Sequence, residues 1–119
     1  MIQNLLLVAL GGAFGSMGRY VISKWLEGAA FPWATLTVNI TGSLLIGLLT
    51  GLVSKEVLSP ELKLLLVTGF CGGFTTFSTF ANESFSMMKA GDALLAAIYI
   101  GASVAIGILA VYAGLQITK

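Results

Sequence analysis

The chain has 119 residues, of which 57% are hydrophobic and 9% are charged, whereas a soluble domain carries about 25% charged residues. Its single cysteine, Cys71, excludes an internal disulfide and a cysteine metal cluster, and the lack of histidine removes the usual proton shuttle and transition-metal ligand. A net charge of +1 without a basic cluster argues against nucleic acid as a partner. We therefore expect a membrane protein that is not an enzyme.

Four apolar segments are long enough to cross a bilayer, which takes roughly 20 mostly apolar residues. In chain order they cover about residues 4–25, 33–53, 61–87 and 93–116. Ser59-Pro60-Glu61 places a capping side chain, a proline and an acid at the start of the third segment. The first segment is not preceded by Lys or Arg, as a secretory signal would be, so we expect it to be retained. The pattern predicts an all-α membrane protein, with residues 1–119 forming one four-helix transmembrane domain.

Small residues recur four apart in each span: Gly11 with Gly15, Gly47 with Gly51, Gly69 with Gly73, and Ala110 with Gly114. Such pairs let two helix backbones approach closely in lipid. Glycine is also common in membrane helices, so some pairs arise by chance. The pairs support tight helix packing.

Lys and Arg are balanced between the two sides of the predicted bundle. Cationic residues usually collect in cytoplasmic loops and fix the orientation of a membrane protein. Here three lie on the side of both termini and the middle loop, and three lie opposite: Lys55, Lys63 and Lys119 against Arg19, Lys24 and Lys89. The balance is either accidental in so short a chain or indicates insertion in both orientations. The second alternative predicts pairing with an inverted copy, which would also enclose more space than four helices can alone.

Residues 69–80 of the third span differ from an ordinary lipid-facing helix. They combine paired glycines with four hydroxyl residues, and Gly72-Gly73 followed by Thr75-Thr76 has weak helix propensity. We predict a third helix broken mid-membrane, which is tolerated only where the backbone is buried in protein or lines a wet cavity. The freed carbonyls would suit a hard cation and the new helix start an anion. The alternative is an intact helix whose glycines pack closely and whose hydroxyls bond back to it.

The run from Thr68 to Phe80, TGFCGGFTTFSTF, resembles the signature of the CrcB-type (Fluc) fluoride channels. Further matching segments follow in the same order along the chain: Gly11-Gly12-Ala13-Phe14-Gly15-Ser16 with Arg19, Thr35-Leu36-x-Val38-Asn39, and Tyr99 with Ser103. The resemblance implies an antiparallel, dual-topology homodimer with two pores that lets fluoride leave the cytoplasm passively. The expected location is a bacterial inner (plasma) membrane, with membrane lipid around the dimer.

The resemblance also assigns roles to individual residues. Phe77 and Phe80, three apart on one helix face, would turn their positive ring edges to the ion. Hydrogen-bond donors of the pore would be Asn39, Ser78, Thr79, Tyr99 and Ser103. A structural sodium ion at the dimer centre would be held by the main-chain carbonyls of Gly72 and Thr75, an oxygen-only site that suits a hard cation. Gly107 stands where the family often has another hydroxyl.

Five residues singled out by the resemblance have alternative roles. Arg19 either flanks an aqueous vestibule or anchors the chain at the interface. Glu83 either contacts that vestibule or marks a helix end. Asn39 would otherwise bond one helix to another, and aromatic residues at helical spacing, such as Phe77 and Phe80, often fill a core.

Two other functions fit four short spans. A small proton-coupled multidrug exporter needs a carboxylate deep in its first helix, but no Asp or Glu precedes Glu27, in the connector. A non-transporting assembly subunit is disfavoured by the buried amide of Asn39 and by the hydroxyl-rich third span. No nucleotide-binding loop is present and no acidic residue lies at the centre of a span, so a passive channel is predicted.

Overall fold

The computed structural model describes residues 1–28 and 31–119, and these contain helices and no strand. Helices α1 (Ile2–Trp25) and α2 (Trp33–Ser54) are followed by a composite third segment and by α6 (Ala93–Thr118). The third segment contains α3 (Pro60–Lys63), a π-helical stretch (Leu64–Cys71), α4 (Gly72–Phe74) and α5 (Ser78–Lys89).

Four helical stretches are long and apolar enough to cross a membrane: Ile2–Trp25, Trp33–Ser54, Pro60–Lys89 and Ala93–Thr118. The predicted all-α class and the four spans are therefore confirmed. Each end lies within about two residues of its predicted position, which is the usual accuracy for helix boundaries. Residues 29 and 30 of the predicted connector between the first two spans lie outside the described residues.

Side-chain caps start the third and fourth spans. The Ser59 hydroxyl accepts a hydrogen bond from the Leu62 amide at 3.2 Å, with Pro60 in the first helical position, as the sequence predicts. Asp92 caps α6 by accepting from the Leu95 amide at 3.3 Å. It follows Gly91, whose φ of +87° suits a residue without a Cβ. These caps satisfy amides that have no partner within their own helix.

Helix α1 packs against the π-helical stretch and α4, and glycine makes the close approach possible. A Cβ on Gly11 would lie 3.0 Å from the Cα of Gly69, and one on Gly15 would lie 2.8 Å from the amide nitrogen of Phe74. Both distances are shorter than normal carbon contacts, so any larger residue forces these segments apart. The close packing predicted from Gly11 and Gly15 is confirmed.

Helices α2 and α6 form a second tight pair. A Cβ on Gly114 would lie 2.7 Å from the Leu48 nitrogen, and one on Gly47 would lie 3.0 Å from the Val111 Cα. The Thr118 hydroxyl donates to the Leu48 carbonyl at 2.7 Å. Contacts advance in the same direction along both helices, so α2 and α6 run parallel, with the third span placed between them in the chain.

Candidate functional site

The third span leaves helical conformation for three residues in its second half. Helical backbone continues through Gly72 and ends at Phe74, Thr75 is extended with φ −87° and ψ 159°, and helix resumes at Ser78. The helix therefore ends just after the glycines. In the described part of the chain, no hydrogen bond reaches the main-chain oxygen of Gly72 or Thr75. Two acceptors are thus left for other ligands.

The Asn39 side chain of α2 supports the interruption from the neighbouring helix. Its Nδ2 donates to the Thr76 carbonyl at 3.0 Å, and its Oδ1 accepts from the Thr76 amide at 2.9 Å. One amide group thereby replaces both hydrogen bonds that an intact helix would have given Thr76. The second N–H of Nδ2 remains available as a donor.

Arg19 reaches the same segment from α1. Its Nε donates to the Gly73 carbonyl at 3.1 Å, and the side chain is partly buried. A guanidinium has five N–H donors, so this bond leaves the others available for an anion. Arg19 also lines a small cavity together with Thr76 and Thr79.

A groove of about 500 Å³ opens beside the interruption. Its wall contains six of the residues singled out in the sequence, Gly72, Asn39, Thr75, Phe77, Phe80 and Ser103, together with Thr76 and Ser43. The remaining wall is mostly apolar, including Ile46, Val67 and Val104. A few polar groups in an apolar wall are typical of a ligand site.

Aromatic rings continue from the groove toward the first turns of α6. The ring centroids of Phe77 and Phe80 lie 6.0 Å apart, and those of Phe80 and Tyr99 lie 5.1 Å apart. Phe31 meets the Tyr99 ring edge-on at 5.4 Å. Phe77 is 78% exposed, whereas Tyr99 is fully buried. Phe77 and Phe80 therefore share one face, as their spacing predicts.

Two polar residues on α6 differ in their partners. The Tyr99 hydroxyl donates to the Glu83 carboxylate at 3.0 Å, which joins a predicted pore donor to a residue considered for the vestibule. The Ser103 Oγ is buried and has no hydrogen-bond partner in residues 1–28 and 31–119. An unpaired buried hydroxyl is costly unless a ligand uses it.

Three predicted pore residues, Ser78, Thr79 and Tyr99, do not line this groove, and neither does Glu83, which was considered for the vestibule. Ser78 and Thr79 are exposed at the start of α5, and the Thr79 amide is bonded to the Thr76 hydroxyl at 3.3 Å. Glu83 contributes to a second groove beside Asp92. The wall also includes residues to which the sequence assigned no role, notably Thr76 and Ser43. Ser43 follows Asn39 by one helical turn, and this spacing was the signal that could have identified it.

The two unbonded acceptors at the interruption, the Gly72 and Thr75 oxygens, are main-chain carbonyls. In the described residues, no cluster of three or more His, Cys, Asp or Glu side chains is placed to hold a metal. A Cβ on Gly72 would meet nothing within 4 Å, so this side of the turn is open. Uncharged carbonyl oxygens are hard ligands that suit an alkali cation better than a transition metal.

Known proteins are similar to this chain over its whole length. Residues 6–115 match the protein family described as CrcB-like protein, Camphor Resistance (CrcB). A protein of Rhizobium etli named Fluoride-specific ion channel FluC is 50% identical over 123 residues, which covers 100% of this chain and 98% of the relative. Proteins of the same name from Agrobacterium fabrum (51% identity, 98% of this chain, 96% of the relative) and Chlorobaculum tepidum (45%, 100% and 97%) are also similar. The chain therefore belongs to the CrcB-like family.

Proposed function

We propose that this chain is a fluoride-selective ion channel through which fluoride leaves the cytoplasm passively. The observation that carries this proposal is the groove at the interrupted third span, where Phe77, Phe80 and the Asn39 amide lie together with the hydroxyl residues Ser43 and Ser103. The names of the relatives support fluoride as the ion that is conducted. Channel function requires no enzymatic chemistry. Hydrogen fluoride enters as a neutral acid and dissociates inside. The membrane potential then drives the anion outward with about 2.3 kcal/mol per 100 mV.

The residue types suit a small and strongly hydrated anion. A ring of Lys or Arg would hold fluoride tightly and would also admit chloride, so conduction requires several moderate interactions instead. Hydroxyl and amide donors, here Ser103 and Asn39, supply part of them. The rims of Phe77 and Phe80 supply positive ring edges without a fixed charge.

The interruption is proposed to lie at mid-membrane depth. Thr75 to Phe77 fall near the centre of the apolar stretch Pro60–Lys89. Irregular backbone is tolerated in hydrocarbon only where it is buried in protein or lines a wet cavity. The bonds that Asn39 and Arg19 make to Thr76 and Gly73 satisfy part of it from neighbouring helices.

The working unit is proposed to be an antiparallel homodimer in a bacterial plasma membrane. Phe77 is largely exposed in the single chain, and the groove beside it lacks one wall. A second copy would close this side, and the balanced Lys and Arg count favours an inverted one. The relatives described above come from bacteria, which supports the location.

A structural sodium ion fits the carbonyls of Gly72 and Thr75. Both oxygens lack a hydrogen bond from the described residues, and Gly72 has open space beside it. Two copies related by a two-fold axis would supply four such oxygens. When bound, the cation supplies positive charge that favours anions nearby. The chain's own contribution is to hold the two oxygens at the interruption.

Efflux from liposomes tests the proposal. Purified protein is reconstituted, a potassium diffusion potential is imposed, and fluoride and chloride are followed with selective electrodes. We expect rapid fluoride efflux without chloride efflux, and sharply slower efflux in Phe77→Ile and Phe80→Ile. Phe85→Ile is the matched control, because Phe85 is exposed on α5 and does not line the groove. Equal passage of chloride, or no fluoride efflux, would contradict the proposal.

A further inference from the structure

Along the contact between α2 and α6, residues of the two helices meet at successive levels, each one helical turn from the next. Three on each helix are four apart in sequence and therefore share a face: Thr35, Asn39 and Ser43 on α2, and Tyr99, Ser103 and Gly107 on α6. Ser43 faces Gly107, and one turn further Gly47 faces Val111 at the same offset along the chain. Because the helices run parallel, this offset places Asn39 beside Ser103.

At the first level Tyr99, and at the second level Asn39, already have hydrogen-bond partners. Tyr99 is bonded to Glu83, and Asn39 is bonded to the main chain of Thr76. At the third level Ser43 is partly exposed in the wall of the groove. Its neighbour Gly107 has no side chain, so α6 offers no polar side-chain group at this level.

The Ser43 hydroxyl does not donate a hydrogen bond to the carbonyl four residues earlier in its own helix. Several helical hydroxyls of this chain donate to the carbonyl four residues earlier, among them Thr50, Ser54 and Ser84. This is the usual arrangement for Ser and Thr in apolar helices. Ser43 makes no such bond in the part of the chain that the structure describes, and the buried Ser103 Oγ one level away has no partner either. Two unpaired hydroxyls thus lie in succession along one wall.

We propose that the Ser43 hydroxyl is a fluoride-binding donor of the pore and forms the step after Ser103. The inference rests on the proposed function and extends it to a residue with no assigned role. Consecutive levels on a helix are about 6 Å apart, so an anion can pass from one hydroxyl to the next without full rehydration. Gly107 leaves the space in which the ion and the Ser43 hydroxyl meet.

A hydroxyl transfer between facing positions tests this role. Fluoride efflux is measured for Ser43→Ala, for Ser43→Ala with Gly107→Ser, and for Ser43→Ala with Gly107→Ala. A Cβ at position 107 lies 3.7 Å from the Ser43 Oγ, an ordinary contact, so both side chains fit and the Ser places a hydroxyl beside the original one. Thr41→Ala, on the exposed face of α2, is the matched control, and size-exclusion chromatography checks that every variant assembles.

We expect Ser43→Ala to slow efflux by about tenfold, as for the loss of one hydrogen bond to a charged partner. Gly107→Ser should restore most of the rate, whereas Gly107→Ala should not. An unchanged rate in Ser43→Ala, or the absence of a difference between the two double variants, would overturn the inference. Failure of the wild-type protein to conduct fluoride would instead count against the proposed function.

Discussion

At the scale of single residues, Asn39 joins α2 to the third span, which is the alternative role that the sequence left open for it. Its amide makes two hydrogen bonds to Thr76, 37 positions away in sequence. Without them, the amide and carbonyl of Thr76 would lack partners in an apolar setting. The second N–H of the same amide is left as a donor, so the proposed ion contact would combine with structural support in one group.

Asn39→Ala should therefore lower both stability and fluoride efflux. We expect a loss of about 1 to 3 kcal/mol, since hydrogen bonds between membrane helices average about 0.6 kcal/mol and unsatisfied main-chain groups cost more. Thermal unfolding followed by circular dichroism in detergent measures the stability, and liposome efflux measures the conduction. Thr41→Ala provides the control on the same helix. If Asn39 acted on the ion alone, the variant would conduct poorly yet unfold at the wild-type temperature.

At the scale of helices, glycine at particular positions sets how close the third span comes to α1. A Cβ on Gly15 would lie 2.8 Å from the Phe74 nitrogen, at the last helical residue before the interruption. A Cβ on Gly12, three residues earlier in the same helix, would have the Gly69 oxygen at 3.8 Å as its nearest atom. The two glycines therefore differ in packing while sharing their helix.

Gly15→Ala should destabilise the protein by about 1 to 3 kcal/mol, the usual cost of overpacking. It should also slow efflux, because Phe74 cannot move without shifting Thr75. Gly12→Ala should be neutral or should stabilise by up to about 1 kcal/mol through helix propensity. Melting temperatures of both variants in one detergent give the comparison. Equal melting temperatures would show that the contact between α1 and α4 is looser than described.

Sequence reasoning succeeded for the helices where the signal was local. Span length and the Ser59-Pro60 start predicted helix boundaries, and the paired glycines predicted close packing. The π-helical stretch Leu64–Cys71 was not predicted, because its apolar residues resemble any buried helix. The bond from Arg19 to Gly73 joins residues 54 positions apart and follows from tertiary packing, which no local pattern encodes. Nothing local shows that Ser43 faces Gly107, since only the parallel pairing of α2 and α6 brings them together.

At the scale of the whole molecule, the distribution of Lys residues between the two sides of the bundle bears on how the chain is oriented in the membrane. Lys24 and Lys89 lie in the last turns of α1 and α5, which end on one side of the bundle. Lys55 follows α2 and Lys63 lies in α3, on the other side. The proposed inverted dimer needs chains in both orientations. Shifting the balance of Lys and Arg either way should give chains of one orientation only, which cannot form that dimer.

The double variant Lys24→Gln, Lys89→Gln should insert with both termini in the cytoplasm, because three cationic residues then stand against one. Lys55→Gln, Lys63→Gln should insert the opposite way. A reporter fused after Lys119 gives the orientation, and fluoride efflux from membrane vesicles gives the function. Each variant alone should conduct poorly, whereas the two expressed together should recover efflux by forming mixed, inverted pairs. Full conduction by either variant in a single orientation would mean that the subunits pair in parallel or act alone. The groove beside Phe77 would then have to be closed by something other than an inverted copy.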